Sequence, residues 1–331
     1  MIPYLHQYTP AFIFPFNSLS PLQQIIDPSI YFDNNGRIHS ISTSSFNQTT
    51  FRSTQVKLKD DQLFLLSDRM TINLQNLYSS HNSSNNTLTL TQQNFHFSLT
   101  FPSLKQLIDF ILDIDLWVIS TDITRFTPVK ELDKGCFGAV QLMRDSFKSN
   151  KLVTLKSVAL PAQDDHPAQR GLLNEIHILR KIRHPNVLKL YSVVQIKNAV
   201  CLITEFINGG TLENLISQNQ LDQKTALEIT HALLLAIKQA NLHSFVHRDI
   251  KPSNIMFKKS SKTGKRVWKL IDFGLSENFT DFSGQSLMRD RTGTVCYMAP
   301  EILDPDINQG VYNEQVDLFS VGVVLFEVFF Y

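Results

Sequence analysis

The sequence has little of what marks disulfide-stabilised, zinc-binding or membrane-spanning proteins. Its three cysteines, Cys136, Cys201 and Cys296, lie far apart and form no C-x-x-C pair. This odd, scattered set indicates free thiols in a reducing compartment. The longest apolar stretch, residues 316–331, contains two acidic residues and is short for a bilayer span. Because the N-terminus also lacks the basic head and apolar run of a signal peptide, we expect a cytoplasmic protein without a transmembrane segment.

Charge is also scarce, since 18% of the residues are charged and the net charge is +1. This balance gives no electrostatic reason to expect binding to nucleic acid or to an anionic membrane surface. The charges are distributed unevenly along the chain. Residues 1–125 contain no glutamate, nine aspartates and seven basic residues, and they are rich in serine, asparagine, glutamine and threonine. The change in composition near residue 126 predicts a boundary between two regions.

The first region shows two kinds of pattern. Residues 1–51 have several prolines and little periodicity, so mostly irregular chain is expected there. Alternating apolar and polar residues then predict strands: a pair that turns at residues 60–61, a strand at 70–78, and further strands at 87–91 and 95–99, with a polar loop at 79–86. A helix with Ser103 as its N-cap is predicted next, from the helical spacing of Leu107, Ile108, Ile111, Leu112, Leu116 and Trp117.

Residues 52–120 therefore combine several strands with one C-terminal helix bearing a tryptophan, an order that resembles a pleckstrin-homology domain. The resemblance implies a small β-sandwich-plus-helix domain that binds a protein partner or, less readily, a phosphoinositide. Lipid binding is disfavoured because Lys57 and Lys59 of the first hairpin are offset by Asp60 and Asp61. An unrelated small α+β domain is an alternative of nearly equal weight.

The most informative pattern is H-R-D-I-K-P-S-N at residues 247–254, followed eighteen residues after Asn254 by D-F-G at 272–274. Core packing gives no reason to combine two aspartates, a lysine and an asparagine at this spacing. Such a set is suited to holding a metal-bound nucleoside triphosphate and aligning a hydroxyl against it. The pattern resembles the catalytic and magnesium-binding loops of the eukaryotic protein kinases.

The resemblance implies a role for each polar residue of these loops. Asp249 is expected to be the catalytic base that orients the substrate hydroxyl, and Lys251 at this place is typical of serine/threonine kinases. Asn254 and Asp272 are expected to hold Mg²⁺ through oxygen ligands, whereas His247 is expected to pack rather than to exchange protons. The implied cofactors are ATP and Mg²⁺, and the implied partner is a protein with a serine or threonine acceptor.

A second segment, residues 132–140, resembles the glycine-rich loop G-x-G-x-x-G-x-V of the same family. Glycines allow backbone amides to approach phosphate oxygens closely. Gly135 and Gly138 match the pattern, but Asp133 replaces the first glycine, and its carboxylate disfavours a nearby triphosphate. By the resemblance, the ATP-binding residues of this loop are Leu132, Asp133, Lys134, Gly135, Cys136, Phe137, Gly138, Ala139 and Val140.

Two further segments complete the expected nucleotide site. Lys156 takes the place of the lysine that holds the α- and β-phosphates, and a lysine within an apolar strand needs a charged partner. Glu175, on a segment with helical apolar spacing, is the expected partner, and both residues are assigned to catalysis. Thr204 is expected to be the gatekeeper behind the adenine, and the backbone of Glu205 and Ile207 to hydrogen-bond the adenine edge.

Residues 272–301 resemble a kinase activation segment, which closes with Ala-Pro-Glu at Glu301. Thr294 is expected to line the substrate site beside the catalytic aspartate. In this family the arginine at position 248 usually requires an anionic partner on the activation segment, and Asp290 stands where many relatives carry a phosphorylated threonine. We therefore expect Asp290 to supply a permanent charge, with phosphorylation of Thr292 as the alternative. The segment is similar to those of calcium/calmodulin-dependent and calcium-dependent kinases, although the sequence contains no EF-hand loop.

The predicted organisation is an irregular segment at 1–51, the small domain at 52–120 and a kinase domain at 126–331. The kinase domain is expected to have an α+β, two-lobed fold with a small β-rich lobe and a large, mostly helical lobe, in which Asp317 braces the catalytic loop. It is expected to be truncated at its C-terminus, as a fragment, a truncated product or a degenerate copy. The expected function is serine/threonine protein kinase activity, and the alternative is a pseudokinase or scaffold that binds nucleotide without phosphoryl transfer.

Overall fold

The computed structural model describes residues 39–44, 53–59, 62–65, 70–74, 77–92, 95–101, 103–135, 138–159, 167–197, 199–219, 221–260, 263–278, 288–304, 306–307 and 311–330. These residues form two compact units. Unit 1 comprises the described residues up to 159 together with 191–203, and unit 2 comprises 167–190 and the described residues from 204 onward.

Unit 1 is built on a thirteen-stranded sheet whose order is β4-β3-β2-β1-β7-β6-β5-β8-β12-β13-β11-β10-β9. Strand β8 pairs in parallel with β5 on one side and with β12 on the other, so it joins the first seven strands to the last five. The strands are β1 His39–Ser44, β2 Ser53–Lys59, β3 Gln62–Leu65, β4 Met70–Asn73, β5 Tyr78–Asn82, β6 Thr87–Gln92, β7 Phe95–Thr100, β8 Ile119–Ser120, β9 Phe126–Gly135, β10 Gly138–Asp145, β11 Lys151–Ala159, β12 Leu190–Ile196 and β13 Ala199–Glu205.

Helix α1, Leu104–Ile114, packs against a core that contains residues of β3, β4, β6 and β7. The backbone N–H of Gln106 donates to the Ser103 side chain, so the predicted N-cap is confirmed. The helix buries Leu107, Phe110, Ile111 and Ile114 in a core shared with strand residues. Burial of each such side chain contributes about 1.5–3 kcal/mol to folding, which explains why an 11-residue helix is stable here.

The structure corrects three details of the predicted strands. The predicted strand at 70–78 corresponds to the end of one strand at Asn73 and the start of another at Tyr78, and the backbone N–H of Leu77 donates to the Leu74 carbonyl at 3.2 Å. The polar loop predicted at 79–86 begins later, because strand β5 continues to Asn82. Its backbone hydrogen-bonds to β6, and this pairing does not depend on apolar side chains. Strand β1 lies within the segment predicted to be irregular, and residues 1–38, 45–52 and 60–61 fall outside the described residues.

The strands predicted to form a separate small domain share one sheet with the later strands. The pleckstrin-homology-like assignment and the predicted boundaries at 51, 120 and 126 stay predictions. What the structure adds is the continuity of the sheet through β8.

A buried charge cluster lies at this junction within unit 1. The Nη2 atom of Arg125 is 2.7 Å from Oδ2 of Asp115, which caps the end of α1, and 3.2 Å from Oδ2 of Asp145 at the end of β10. All three side chains are at most 3% exposed. Burial raises the pKa of Asp115, and the nearby Arg125 guanidinium opposes that rise. Arg125 therefore connects the segment after α1 to the β9–β11 strands.

Unit 2 is mostly helical. It contains α2 Pro167–Lys181, α3 Leu212–Ser217, α4 Gln223–Leu242, α5 Pro300–Leu303 and α6 Gln315–Phe330, with two antiparallel ribbons formed by β14 Phe245–Val246 with β17 Glu277–Asn278 and by β15 Ile255–Lys259 with β16 Arg266–Leu270. Helix α4 begins at the N-cap Asp222 and packs against β16 and α6. The predicted α+β class, with a β-rich lobe and a mostly helical lobe, is confirmed. Among the helices of the described chain, none is both long and apolar enough to cross a membrane.

Candidate active site

The loop at 247–254, between β14 and β15, is held by a buried carboxylate on α6. Asp317 accepts the backbone N–H of His247 at 2.7 Å through Oδ2 and that of Arg248 at 2.9 Å through Oδ1. Its complete burial raises its pKa, while these two backbone hydrogen bonds oppose the rise. Arg248 has a φ of 67°, an uncommon conformation for a non-glycine residue. The bracing role predicted for Asp317 is therefore confirmed, and it supports a loop with a strained backbone.

Asp249 lies at the centre of a compact polar network in unit 2. Its Oδ1 accepts the Thr294 hydroxyl at 2.6 Å, and its Oδ2 accepts Lys251 Nζ and Asn254 Nδ2, each at 2.9 Å. Lys251 Nζ also donates to Thr294 Oγ1 at 2.8 Å. The carboxylate is thus surrounded by donors that fix its orientation, and one of these donors is itself a hydroxyl. Such a carboxylate is suited to accepting a proton from an alcohol.

His247 makes structural contacts on both sides of its ring. Nε2 is 3.1 Å from the Ile271 carbonyl oxygen, and Nδ1 is 3.3 Å from the backbone nitrogen of Asp249. Because the carbonyl only accepts and the amide N–H only donates, we assign the neutral tautomer with the proton on Nε2. The ring also packs edge-on against Phe273, with centroids 4.7 Å apart. These contacts confirm the predicted packing role.

Asn254 and Asp272 provide the type of oxygen ligands that Mg²⁺ prefers. The backbone N–H of Ile271 donates to the Asn254 carbonyl at 3.0 Å, which brings the residue before Asp272 against this loop. The Nδ2 group of Asn254 makes two bonds to Asp249, so its Oδ1 is the atom left to serve as a metal ligand. No group of three or more His, Cys, Asp or Glu side chains suited to a metal occurs in the described parts of the chain. A cation here would complete its shell with water and phosphate oxygens.

Arg248 makes a different ion pair from the one predicted. Its Nη2 is 3.4 Å from Oε2 of Glu277, whereas Asp290 approaches it only indirectly. Tyr312 links the two, since Arg248 Nη1 donates to the Tyr312 hydroxyl at 3.2 Å and that hydroxyl donates to the Asp290 backbone carbonyl at 2.7 Å. The carboxylate in the ion pair with Arg248 is therefore that of Glu277, and the permanent charge assigned to Asp290 stays a prediction. Nothing in the sequence near Arg248 indicates its pair with Glu277, because Glu277 lies 29 residues away. The two residues meet because β17, which contains Glu277, pairs with β14, which precedes Arg248.

The glycine-rich segment forms the β9–β10 hairpin of unit 1, in which Gly135 pairs with Gly138. Cys136 and Phe137 at its tip lie outside the described residues. Asp133 is exposed and pairs across the strands with Val140, which in turn pairs with Lys156 on β11. Leu132 is also exposed, whereas Ala139 is half-buried and the side chain of Lys134 falls outside the described residues. Asp133 and Lys156 therefore both lie opposite Val140, on the two strands that flank β10.

Lys156 and Glu175 belong to different units, and their ion pair stays a prediction. Lys156 is half-buried on β11, and Glu175 on α2 is buried. The apolar face predicted for that helix is confirmed by the burial of Leu172, Ile176, Leu179 and Ile182.

Thr204, Glu205 and Ile207 are all buried, and Glu205 has a role that the sequence did not reveal. Its Oε1 is 2.7 Å from Lys269 Nζ and accepts the backbone N–H of Lys189 at 3.1 Å, and its Oε2 is 3.1 Å from Lys258 Nζ. The side chain therefore fastens the end of β13 to the β15–β16 ribbon. The sequence does contain an indication of this pair at Lys269. This lysine lies between Trp268 and Leu270, and a lysine in an apolar strand requires an anionic partner.

Comparison with known proteins shows which family the chain is similar to. Residues 126–331 match the family model described as "Protein kinase domain". The chain is 32% identical over 203 residues to Calcium-dependent protein kinase 4 of Plasmodium falciparum, covering 61% of this chain and 37% of that protein. It is 31% identical over 206 residues to CBL-interacting serine/threonine-protein kinase 12 of Arabidopsis thaliana, covering 61% and 40%. It is 28% identical over 204 residues to the Carbon catabolite-derepressing protein kinase of Saccharomyces cerevisiae, covering 62% and 30%.

The chain thus spans less than half the length of these curated relatives. The family match covers well over half of the chain and includes the Asp249 network, the Asp317 brace and the β9–β11 strands. On this evidence the chain belongs to the protein kinase domain family.

Proposed function

We propose that the protein is a serine/threonine protein kinase, which transfers the γ-phosphate of ATP to a serine or threonine hydroxyl of a protein. The observation that carries the proposal is the Asp249 carboxylate, with the Thr294 hydroxyl at 2.6 Å and the Lys251 ammonium at 2.9 Å. Asp249 orients the substrate hydroxyl and takes its proton as the phosphoryl group is transferred. Lys251 places a positive charge beside the reacting groups. The products are a phosphoprotein and ADP.

The proposed nucleotide site follows from the family membership. Asn254 and Asp272 would hold Mg²⁺, which neutralises phosphate charge when it is bound. Lys156 would hold the α- and β-phosphates and Glu175 would position Lys156. The glycine-rich loop at 132–140 would cover the phosphates, and the backbone from Thr204 to Ile207 would contact the adenine. The Glu205–Lys269 pair supports this last assignment, because it immobilises the backbone that would contact the base.

The direct test is transfer of labelled phosphate from ATP to a generic basic protein such as a histone mixture. The wild-type chain is expected to label serine and threonine, as read by phosphoamino-acid analysis, and Asp272→Ala is expected to lose the labelling. Titration with MgATP then separates binding from transfer. If the wild type binds MgATP but gives no more labelling than Asp272→Ala, the protein is a nucleotide-binding pseudokinase and the proposal is wrong.

Replacement of Gly293 by alanine is expected to lower kcat by about 10- to 100-fold. Gly293 has a φ of +129°, and a Cβ atom there would lie 2.4 Å from the Arg248 carbonyl oxygen. The backbone would have to move, and Thr294 would move with it away from Asp249. Steady-state phosphorylation of one peptide measures the effect. Gly322→Ala is the matched control, because its Cβ meets no atom within 4 Å, and near-equal rates for the two variants would contradict the prediction.

Two further assignments stay predictions. One is the binding of a protein partner or a phosphoinositide by residues 52–120, and the other is a cytoplasmic location of the protein.

A further inference from the structure

The thirteen-stranded sheet crosses the boundary at which the family match begins. Strands β1–β8 precede residue 126 and β9–β13 lie within the match, yet both groups belong to one sheet and to one compact unit. A separable N-terminal domain would instead enclose its own core and make few contacts across a linker. Whether the chain folds as two separate parts therefore depends on the contacts across this boundary.

Strand β8 makes the backbone contact between the two groups. The Ile119 N–H donates to the Leu77 carbonyl at 2.7 Å on the β5 side, and Ile119 lies opposite Val193 of β12 on the other side. The six residues paired across β5, β8 and β12 are at most 9% exposed: Tyr78, Ser79, Ile119, Ser120, Val193 and Val194. Because successive side chains of a strand point to opposite faces, both faces of the sheet are covered here. The junction is thus sheet interior, and opening it would expose unpaired backbone groups.

Side chains interlock across the same boundary. Phe147, in the turn between β10 and β11, packs against the core that α1 shares with the strands before it. Its ring lies edge-on to His81 of β5, with centroids 5.4 Å apart. Arg125 joins Asp115, which caps the end of α1, to Asp145 at the end of β10. Separating the two groups of strands would therefore uncover an apolar side chain and leave buried charges without their partners.

We propose that β1–β8, α1 and β9–β13 form one cooperative folding unit, so that the nucleotide-binding lobe includes the strands that precede the family match. Its structural part concerns folding alone, whereas the assignment of β9–β13 to ATP rests on the proposed kinase function. One consequence is linkage between distant parts of the sheet. MgATP bound at β9–β13 would stabilise the first strands as well, and a partner that holds the first strands would stabilise the nucleotide site.

The test is amide exchange of the full chain, followed strand by strand with mass spectrometry. Ile72→Val removes one buried methyl group from the core under β4, the strand at the opposite end of the sheet from β9. The slowest amides of β6 and of β13 are expected to exchange about 2- to 10-fold faster, by the same factor in both strands. Ile229→Val, on the buried face of α4 in unit 2, is the matched control and should leave β6 and β13 unchanged.

A second measurement relates this unit to the nucleotide. MgATP at about 100 times its dissociation constant is expected to slow the slowest exchange by about 100-fold in β13, and by the same factor in β6. Protection of β13 without β6, or an effect of Ile72→Val that is confined to β6, would overturn the inference. Equal acceleration by Ile72→Val with no protection by MgATP in either strand would support the shared unit and refute the proposed nucleotide site.

Discussion

Replacement of Asp249 by asparagine is expected to lower kcat by about 10²- to 10⁴-fold, the range typical for loss of a general base. Asparagine has nearly the same shape, so the loop itself should survive. Its amide has only one acceptor oxygen, however, whereas the carboxylate accepts the Thr294 hydroxyl on one oxygen and both Lys251 and Asn254 on the other. The variant therefore loses the proton acceptor and also leaves at least one donor of the network without its partner.

The measurement is kcat and KM for the peptide, together with the affinity for MgATP by titration calorimetry. MgATP affinity is expected to stay within a few-fold, because the proposed phosphate and metal contacts come from other residues. Asp306→Asn, an exposed position after α5, is the matched control for the same chemical change. An Asp249→Asn variant that retains a tenth or more of the wild-type kcat would show that this carboxylate is not the base.

Much of this site could be predicted because its chemistry is concentrated in short motifs. Eight consecutive residues supply His247, Asp249, Lys251 and Asn254, and local backbone geometry then determines which of them meet. Asp317 was predicted as the brace although it lies 70 residues from His247, because its motif has a characteristic place in the family. The helix α1 and its N-cap were predictable for a simpler reason, since spacing and capping are local properties of the chain.

The charge pairs that join distant segments could not be predicted in the same way. Arg248 with Glu277, Glu205 with Lys269 and Arg125 with its two aspartates each depend on which strands come together. No local sequence pattern marks a single carboxylate such as Glu277 as the partner of a distant arginine. Asp290 was chosen only because of its position in the activation-segment motif. The parallel pairing of strand β8 could not be predicted either, because two residues are too few to show the alternation of apolar and polar side chains that marks a strand.

Replacement of Arg125 by methionine is expected to destabilise unit 1 by about 3–5 kcal/mol, the cost typical of breaking a buried ion pair on one side. Methionine preserves most of the volume, but Asp115 and Asp145 would remain buried without their shared cation. The guanidinium also lies 4.4 Å over the Phe126 ring and 5.1 Å over the Phe147 ring, and these cation–π contacts would be lost as well. The shift of the urea unfolding midpoint measures the effect. Adding Asp115→Asn and Asp145→Asn to the variant is expected to recover much of the loss, because the two buried carboxylates are then replaced by neutral amides.

The dependence on pH separates a stranded charge from simple loss of packing. Burial already raises the pKa of Asp115, and removal of Arg125 takes away the main influence that lowers it. A carboxyl group with a raised pKa binds a proton more tightly in the folded state, so its contribution to stability is present at low pH and is lost as pH rises through the raised pKa. The deficit of Arg125→Met should therefore be larger at pH 8 than at a pH near 3.8, the ordinary pKa of this carboxyl group. Because Arg125 is bonded both to the end of α1 and to the end of β10, amide exchange should accelerate in both elements together. Equal deficits at the two pH values, or faster exchange in only one element, would show that Arg125 does not couple them through charge.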